Sequence, residues 1–181
     1  MTMTVEDFIE ELGTEVEVIT YDAAAEPGIT KSADGKTVNV KDVSLTGGFS
    51  TAEMWGVIIG SGKMPSSLIK ADLRGLDTSN VKNMESMFRV CEKLVSLDLS
   101  SFNTSNVNDM EHMFNNCGNL ASLYLSSFDT SNVKNITDMF FKCGKNSENP
   151  LVIKYDIENW TLGTNSNSFS GGYLRFITKV N

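Results

Sequence analysis

The strongest constraint on the fold of this chain is a regular repeat in its second half, with one cysteine per copy at positions 91, 117 and 143. Residues 97–117 (LDLSSFNTSNVNDMEHMFNNC) and 123–143 (LYLSSFDTSNVKNITDMFFKC) are nearly copies, and residues 73–91 (LRGLDTSNVKNMESMFRVC) form a looser copy. Seven residue types recur at this one spacing, in columns that begin at Thr78, Ser79, Asn80, Val81, Met87, Phe88 and Cys91. A fixed period of roughly 20–30 residues is typical of solenoids, in which successive repeats stack on one another.

The pattern inside one repeat predicts a strand followed by a short helix. Leu97 and Leu99 alternate with polar residues, which indicates a strand with its leucines turned inward. Residues 104–106 (Thr-Ser-Asn) are types preferred at helix N-caps. After them, apolar residues recur at helical spacing, namely Val107, Met110, Met113, Phe114 and Cys117. We therefore expect each repeat to run strand, turn, capped helix and turn.

The repeats extend beyond the three clear copies. Leu68 and Leu73 match the columns of Leu94 and Leu99, so residues 52–75 are expected to form an entry coil. An insertion at 144–150 breaks the period, and the residues after it can be aligned with Leu94, Leu97, Leu99 and Phe102 as Val152, Tyr155, Ile157 and Trp160. This gives about four to five coils with a C-terminal cap, over residues 51–181.

The first 50 residues do not share the period and are expected to form an α/β segment. Residues 4–13 read as a capped amphipathic helix that ends at Gly13. Alternation predicts strands over 15–21 and 36–45, with a turn at 33–35. The segment carries ten acidic and three basic residues, a net charge of −7 out of −8 for the whole chain. Residues 1–50 are either a cap on the repeats or a separate docking module, with the junction near Gly47-Gly48.

The cysteines are predicted to be structural. One cysteine occupies the same position in each repeat, so the three stack in a column, and a disulfide would leave one of them unpaired. No C-x-x-C spacing suggests zinc, whereas free cysteine is commonly buried. The predicted core columns are Cys91, Cys117 and Cys143; Phe88, Phe114 and Phe140; Leu97 and Leu99; and Leu123 and Leu125.

Composition and motifs exclude several classes of function. No apolar run is long enough to span a membrane, and neither half has the basic stripe that attracts nucleic acid. The first residues lack the basic and apolar regions of a secretory signal. No catalytic motif is present, and the one histidine, His112, is expected at the surface. We predict no enzymatic activity, no cofactor and no metal.

The repeat resembles a known family. Its pattern, F-x-x-C-x-x-L-x-x-L-x-L-S-x-F-x-T-S-N-V-x-x-M-x-x-M-F, is similar to that of BspA-like leucine-rich repeats, over about residues 68–160. Such repeats occur in surface proteins of mycoplasmas, lactic acid bacteria and gut anaerobes. The resemblance implies a short leucine-rich-repeat solenoid of the α/β class, with a parallel sheet on its concave side and short helices on its convex side. It also implies adhesion, or binding of proteins or matrix.

Alternation along the strands predicts which residues line the open sheet. These candidate ligand-binding residues are Asp72, Arg74, Ser96, Asp98, Ser100, Ser122, Tyr124, Ser126 and Asp156. One column would run Asp72, Asp98, Tyr124 and Asp156. An aromatic ring among short polar residues and carboxylates suits a contact with protein or glycan. The alternative is that these residues only solvate an exposed sheet.

Two functions fit these observations. The first is a non-enzymatic binding or adhesion module that recognises a protein or glycan through the concave face, at a cell surface. The second is a structural component of a phage virion or another particle, in which residues 1–50 dock and the repeats project. Self-association would also cover the open ends of a solenoid. Neither the compartment nor the partner follows from the sequence.

Overall fold

Short strands occur throughout the described residues, and apolar side chains alternate with polar ones along many of them. The computed structural model describes residues 16–45, 66–146 and 151–155, and the backbone of 174–178. The strands in these ranges are β1 (Val18–Thr20), β2 (Gly28–Lys31), β3 (Thr37–Lys41), β4 (Val43–Ser44), β5 (Lys70–Ala71), β6 (Leu76–Asp77), β7 (Ser96–Asp98), β8 (Ser122–Leu125), β9 (Leu151–Tyr155) and β10 (Leu174–Thr178).

The strands form two larger sheets that meet at one bridge. The first has the order β2-β3-β1-β5 and the second the order β10-β9-β8-β7, while β4 and β6 form a small separate pair. Strands β2 and β3 are antiparallel, and the other pairs are parallel. A parallel bridge between Asp72 and Asp98 links the edge of the first sheet to the edge of the second. One sheet surface therefore runs from β2 to β10.

The predicted strands of the repeats are confirmed, and they pair at the repeat spacing. Leu97 lies opposite Leu123, which is its equivalent in the next repeat. The next pair is Leu123 and Ile153, because the insertion lengthens the connection. The alignment that placed Tyr155 on Leu97 is therefore wrong by two residues: Ile153 continues the Leu97 column and Tyr155 continues the Leu99 column. A shift of two preserves which side chains face inward.

The second half of each repeat contradicts the predicted fold class. The described residues contain no helix, so the solenoid with helices on its convex side is wrong, and so is the strand-turn-helix repeat. Helical N–H groups bond to carbonyls four residues earlier in the same segment. Here the N–H groups of Met84, Ser86, Phe88 and Val90 instead donate to carbonyls of the next repeat, namely those of Asp109, Glu111, Met113 and Asn115, at 2.7–2.9 Å.

Tight turns account for the helix-like spacing of this segment. The N–H of Met87 bonds to the carbonyl of Met84, and that of Cys91 bonds to the carbonyl of Phe88. These three-residue steps place apolar side chains inward at intervals that imitate a helix. Left-handed residues with φ of 52–62° interrupt the path at two positions of each repeat, and they are Ser86 and Val90, His112 and Asn116, and Asp138 and Lys142. A continuous helix of L-residues cannot include such conformations.

The Thr-Ser-Asn triplet joins repeats instead of capping a helix. The buried Oγ1 of Thr104 donates to the carbonyl of Asp129 and accepts from its N–H, both at 2.9 Å. Thr78 makes the same pair of bonds to Asn103. The Nδ2 of Asn106 donates to the carbonyl of Ser79 at 2.7 Å. The triplet therefore satisfies backbone groups of neighbouring repeats, which is the reason for its period.

A single hydrophobic core runs through the stacked repeats. The rings of Phe88, Phe114 and Phe140 stack, with centroids 5.7 and 5.5 Å apart. The three cysteines are buried and form no disulfide, and burial raises the pKa of Cys91 and Cys143 well above the usual value. The leucine columns at 97, 99, 123 and 125 are buried as well.

Residues 16–45 share this core with the repeats. Strand β1 lies between β3 and β5, and β4 pairs with β6, so the acidic segment is bonded to the repeats on two sides. A Cβ at Gly75 would lie 2.1 Å from the carbonyl oxygen of Val40, so only glycine permits this approach. The predicted strand over 36–45 is present as β3 and β4, which are separated at Asp42, where φ is 50°.

Some predicted features of the N-terminal part lie outside the described residues. They are the helix over 4–13 and the junction at Gly47-Gly48. Strand β2 was not predicted from the sequence, although the 33–35 turn that joins it to β3 was. That turn is closed by the N–H of Gly35 and the carbonyl of Ser32 at 3.0 Å. The division into residues 1–50 and 51–181 stays a prediction.

Candidate binding surface

The side of the sheet away from the core presents ordered rows of side chains, and we call this side the outward face. Its central row crosses the strands through residues at one level, namely Asn39, Thr20, Asp72, Asp98, Tyr124 and Lys154. A second row lies on the same side two residues earlier in each strand, and contains Thr37, Val18, Lys70, Ser96, Ser122 and Val152. Alternation along each strand separates these residues from the buried ones.

The middle of the central row carries an ion pair. The Nη2 of Arg74 lies 2.7 Å from Oδ2 of Asp72, and its Nε donates to Oδ1 at 3.0 Å. This bidentate contact with Arg74 lowers the pKa of Asp72. The guanidinium also lies over the ring of Tyr21, 5.2 Å from its centroid. The side chains of Arg74 and Asp72 are therefore both committed to contacts within the chain.

One end of the central row carries a cation over an aromatic ring. The Nζ of Lys154 lies 4.6 Å from the ring centroid of Tyr124 and 3.4 Å from its hydroxyl oxygen. Such a cation–π contact holds the ring in place and covers one of its faces. The half-buried Tyr124 is thereby oriented between Asp98 and Lys154.

Asp98 has an uncommitted carboxylate oxygen at the centre of the row. Its Oδ1 accepts from the N–H of Ser100 at 2.9 Å in a local turn. The side chain is exposed, and no ion pair joins it to a cation within the described ranges. Beside it, the hydroxyl of Ser122 donates to that of Ser96 at 2.8 Å. This part of the face therefore offers a fixed acceptor beside short polar groups.

The rim of the outward face is apolar. Of the described residues, Ile69 and Val95 are the exposed large hydrophobic ones, at 48% and 56%. The register that joins Asp72 to Asp98 places them side by side on adjacent strands. Two consecutive N–H groups, those of Ile69 and Lys70, share the carbonyl of Glu17, which is a β-bulge. The bulge gives two successive exposed side chains where alternation would bury one.

The predicted site residues occupy the following places. Asp72, Asp98 and Tyr124 lie in the central row, Ser96 and Ser122 in the second row, and Arg74 beside Asp72. Ser100 and Ser126 follow the strand ends, exposed and half-buried respectively. Asp156 lies outside the described residues, and the register places Lys154, not Asp156, beside Tyr124.

Sequence reasoning missed two contributors to this face and misplaced a third. Alternation along the strand indicates that Lys154 faces outward, but the two-residue shift after the insertion put Asp156 in its place beside Tyr124. Ile69 was missed because the bulge departs from strict alternation. Val95 was missed as well, although its spacing from Ile69 equals the repeat period and was available as a signal.

Polar groups elsewhere in the repeats serve to join them. The backbones of Asn83, Asp109 and Asn135 bridge one another, and each side chain accepts from an N–H two residues later. The Nε2 of His112 lies 3.3 Å from Glu111, and its Nδ1 lies 3.2 Å from the amide of Asn115. Within the described parts, no group of three or more His, Cys, Asp or Glu could hold a metal ion, and no helix is long and apolar enough to cross a membrane.

Comparison with known proteins identifies a family for most of the repeat region. The sequence model of the family described as "Mycoplasma protein of unknown function, DUF285" matches residues 63–170, more than half of the chain. The chain belongs to this family. No curated protein and no solved structure matches it. Members of DUF285 have no assigned function, so the function of this chain has to be argued from its own surface.

Proposed function

We propose that this DUF285 protein is a non-enzymatic binding module that recognises a protein or glycan through the outward face, at a cell surface. The observation that carries the proposal is the exposed pair Ile69 and Val95 beside the polar rows. Serine and aspartate would be enough to solvate an open sheet, whereas exposed aliphatic side chains add nothing to solvation. Exposed apolar groups rimmed by polar ones are typical of interaction sites.

The layout of the repeats supports the same proposal. The turn segments use their Thr and Asn side chains to bond neighbouring repeats. The outward face instead holds an oriented tyrosine and the uncommitted carboxylate oxygen of Asp98. The resemblance of the sequence pattern to BspA-like repeats, which implies adhesion, agrees with a binding role.

A test would present the full chain to two probes, an array of neutral, sulfated and carboxylated glycans, and a displayed library of linear 12-residue peptides. The double variant Asp98→Ala, Tyr124→Ala should lose the contacts that the wild type makes. Lys134→Ala, an exposed change on the turn side, is the control and should keep them. Absence of any contact on both probes, or equal loss in the control, would contradict a binding role for this face.

A further inference from the structure

The aromatic rings of the outward face are poorly placed to stack on a sugar. Arg74 lies over Tyr21 at 5.2 Å, and Lys154 lies over Tyr124 at 4.6 Å. Each ring already has a cation over one face. Tyr21 directly follows β1 and Tyr124 lies in β8, so β5 and β7 separate the two rings. Among the residues that the structure describes on this face, the groups exposed to a partner therefore include the aliphatic side chains of Ile69 and Val95, the carboxylate of Asp98 and the ammonium of Lys70.

The aliphatic groups form one continuous contact area. Ile69 and Val95 lie side by side, and the next position in their column is the half-buried Ala121, whose N–H donates to the carbonyl of Val95 at 2.8 Å. The strip is bordered by Lys70 and Ser96. It suits an aliphatic side chain of a protein better than the hydroxyl-covered surface of a glycan.

Within the described part of this face, Asp72 has an ion pair and Asp98 is a carboxylate without one. The nearest guanidinium, that of Arg74, is held by Asp72 in a bidentate pair. The ammonium of Lys154 is held over Tyr124. The carboxylate of Asp98 therefore favours a cation supplied from outside, and the chain's net charge of −8 favours approach of a basic partner.

The distance between the aliphatic pair and Asp98 determines how far apart the matching residues of a partner must be. Val95 precedes Asp98 by three residues along one strand, and an extended chain rises about 3.3 Å per residue, so the features lie roughly 10 Å apart. A partner segment in the polyproline II conformation has three residues per turn and rises about 3.1 Å per residue, so its side chains three positions apart lie on one side and match this spacing.

We propose that the outward face binds a protein segment that places an aliphatic side chain on Ile69 and Val95, and a lysine or arginine, about three residues away, on Asp98. This inference rests on the proposed function. It narrows the class of partner from a protein or glycan to a protein segment with a basic and an aliphatic residue.

To test this, the displayed library of linear 12-residue peptides is selected for binding to the full chain. The affinity of the enriched peptides is then measured for the purified wild type and its variants. Enriched sequences should share an aliphatic residue and a Lys or Arg about three positions apart. Asp98→Asn keeps the acceptor for the N–H of Ser100 and should weaken binding about tenfold. Val95→Ser should weaken it by a similar factor and, because the residue is 56% exposed, should not alter thermal unfolding.

Asp129→Asn is the matched control, because Asp129 accepts from the N–H of Ser131 in the same kind of turn on another surface, and it should leave binding unchanged. Peptides without a shared basic residue, or with affinity unchanged by Asp98→Asn, would overturn this inference. A third outcome is that the wild type binds a glycan, that the Asp98→Ala, Tyr124→Ala variant loses this binding, and that no peptides with the expected aliphatic and basic residues are enriched. This outcome would overturn the inference and leave the proposed function standing. Absence of face-dependent binding to both probes would overturn both.

Discussion

The two halves of each repeat stack at the same period but use their side chains differently. The strand half, as in β7 and β8, alternates, so that Leu97 and Leu123 enter the core while Asp98 and Tyr124 face outward. The turn half, as in residues 110–117, advances in steps of three residues with left-handed residues between them. Its Met, Phe and Cys side chains fill the core, and many of its polar side chains bond to neighbouring repeats.

This difference indicates which half of the repeat is available to bind a partner. A parallel ladder satisfies the strand backbone by itself, so the outward side chains of the strands remain for a partner. In the turn half, many backbone groups depend on side chains such as Thr104 and Asn106. Substitutions in the turn half should therefore change stability, whereas substitutions on the outward face should change binding.

The largest effect is expected from the stacked aromatic column of the turn half. Phe114→Ala should lower the free energy of unfolding by about 3–5 kcal/mol, because the ring is fully buried between Phe88 and Phe140. Chemical denaturation measures the loss. Phe141→Ala is the control, since Phe141 is half-buried and should cost much less. Equal losses for the two variants would contradict the assignment of Phe114 to the core.

A smaller change in the free energy of unfolding tests whether Thr104 joins repeats or caps a helix. Thr104→Asn should lower the free energy of unfolding by about 1–3 kcal/mol, because the half-buried N–H and carbonyl of Asp129 lose their partner. At a helix N-cap the same change would be neutral or favourable, since asparagine caps at least as well as threonine. Thermal unfolding of both proteins decides between these accounts, and an unchanged or raised midpoint would refute the repeat-joining role.

Substitution by glycine at a left-handed position should increase the free energy of unfolding, whereas the two substitutions above should decrease it. Ser86 has a φ of 58°, so Ser86→Gly should raise the free energy of unfolding, by about 1 kcal/mol at most. Within a helix the same substitution would lower it by roughly the same amount. Glu85→Gly is the neighbouring control and should destabilise the protein, because Glu85 is not left-handed. Denaturant titration of the three proteins gives the sign.

The smallest effect concerns an aspartate that closes a turn. Hydrogen bonds from Ser131 lower the pKa of Asp129 below its usual value of 3.8. Because the folded pKa is depressed, this stabilisation is present above about pH 4 and is lost as the pH falls through the folded pKa. Asp129→Asn should change stability at pH 7 by less than about 0.5 kcal/mol, since Asn103 closes the equivalent turn.

The pH dependence of the same variant supplies the check. Unfolding followed between pH 6 and pH 2 should show a smaller loss of stability in acid for Asp129→Asn than for the wild type. An unchanged acid dependence would show that Asp129 does not contribute to it.

Much of the strand half could be predicted from the sequence. Alternation around Leu97 and Leu99 predicted both the strand and the outward position of Asp98, and the period predicted that equivalent residues of successive repeats stack. The position of Tyr124 in the outward row followed from the same reasoning.

The turn half could not be predicted, because apolar residues three and four apart suit both a helix and a series of tight turns. Ser86, Val90 and His112 carry no glycine signal for their positive φ, since the hydrogen bonds to the next repeat hold them there. These bonds depend on a neighbouring repeat, and spacing within one repeat does not record them. The bulge at Ile69 and the two-residue shift at Lys154 escaped prediction for the same reason.

The most direct test of this account is the backbone conformation of the turn half in solution. Nuclear magnetic resonance of the labelled full chain would give Cα chemical shifts and amide-to-α couplings for residues 84–91 and 110–117. The account predicts left-handed values at Ser86, Val90, His112 and Asn116, with amide contacts between Phe88 and the Met113–Phe114 peptide of the next repeat. Continuous helical shifts across 110–117 would contradict it.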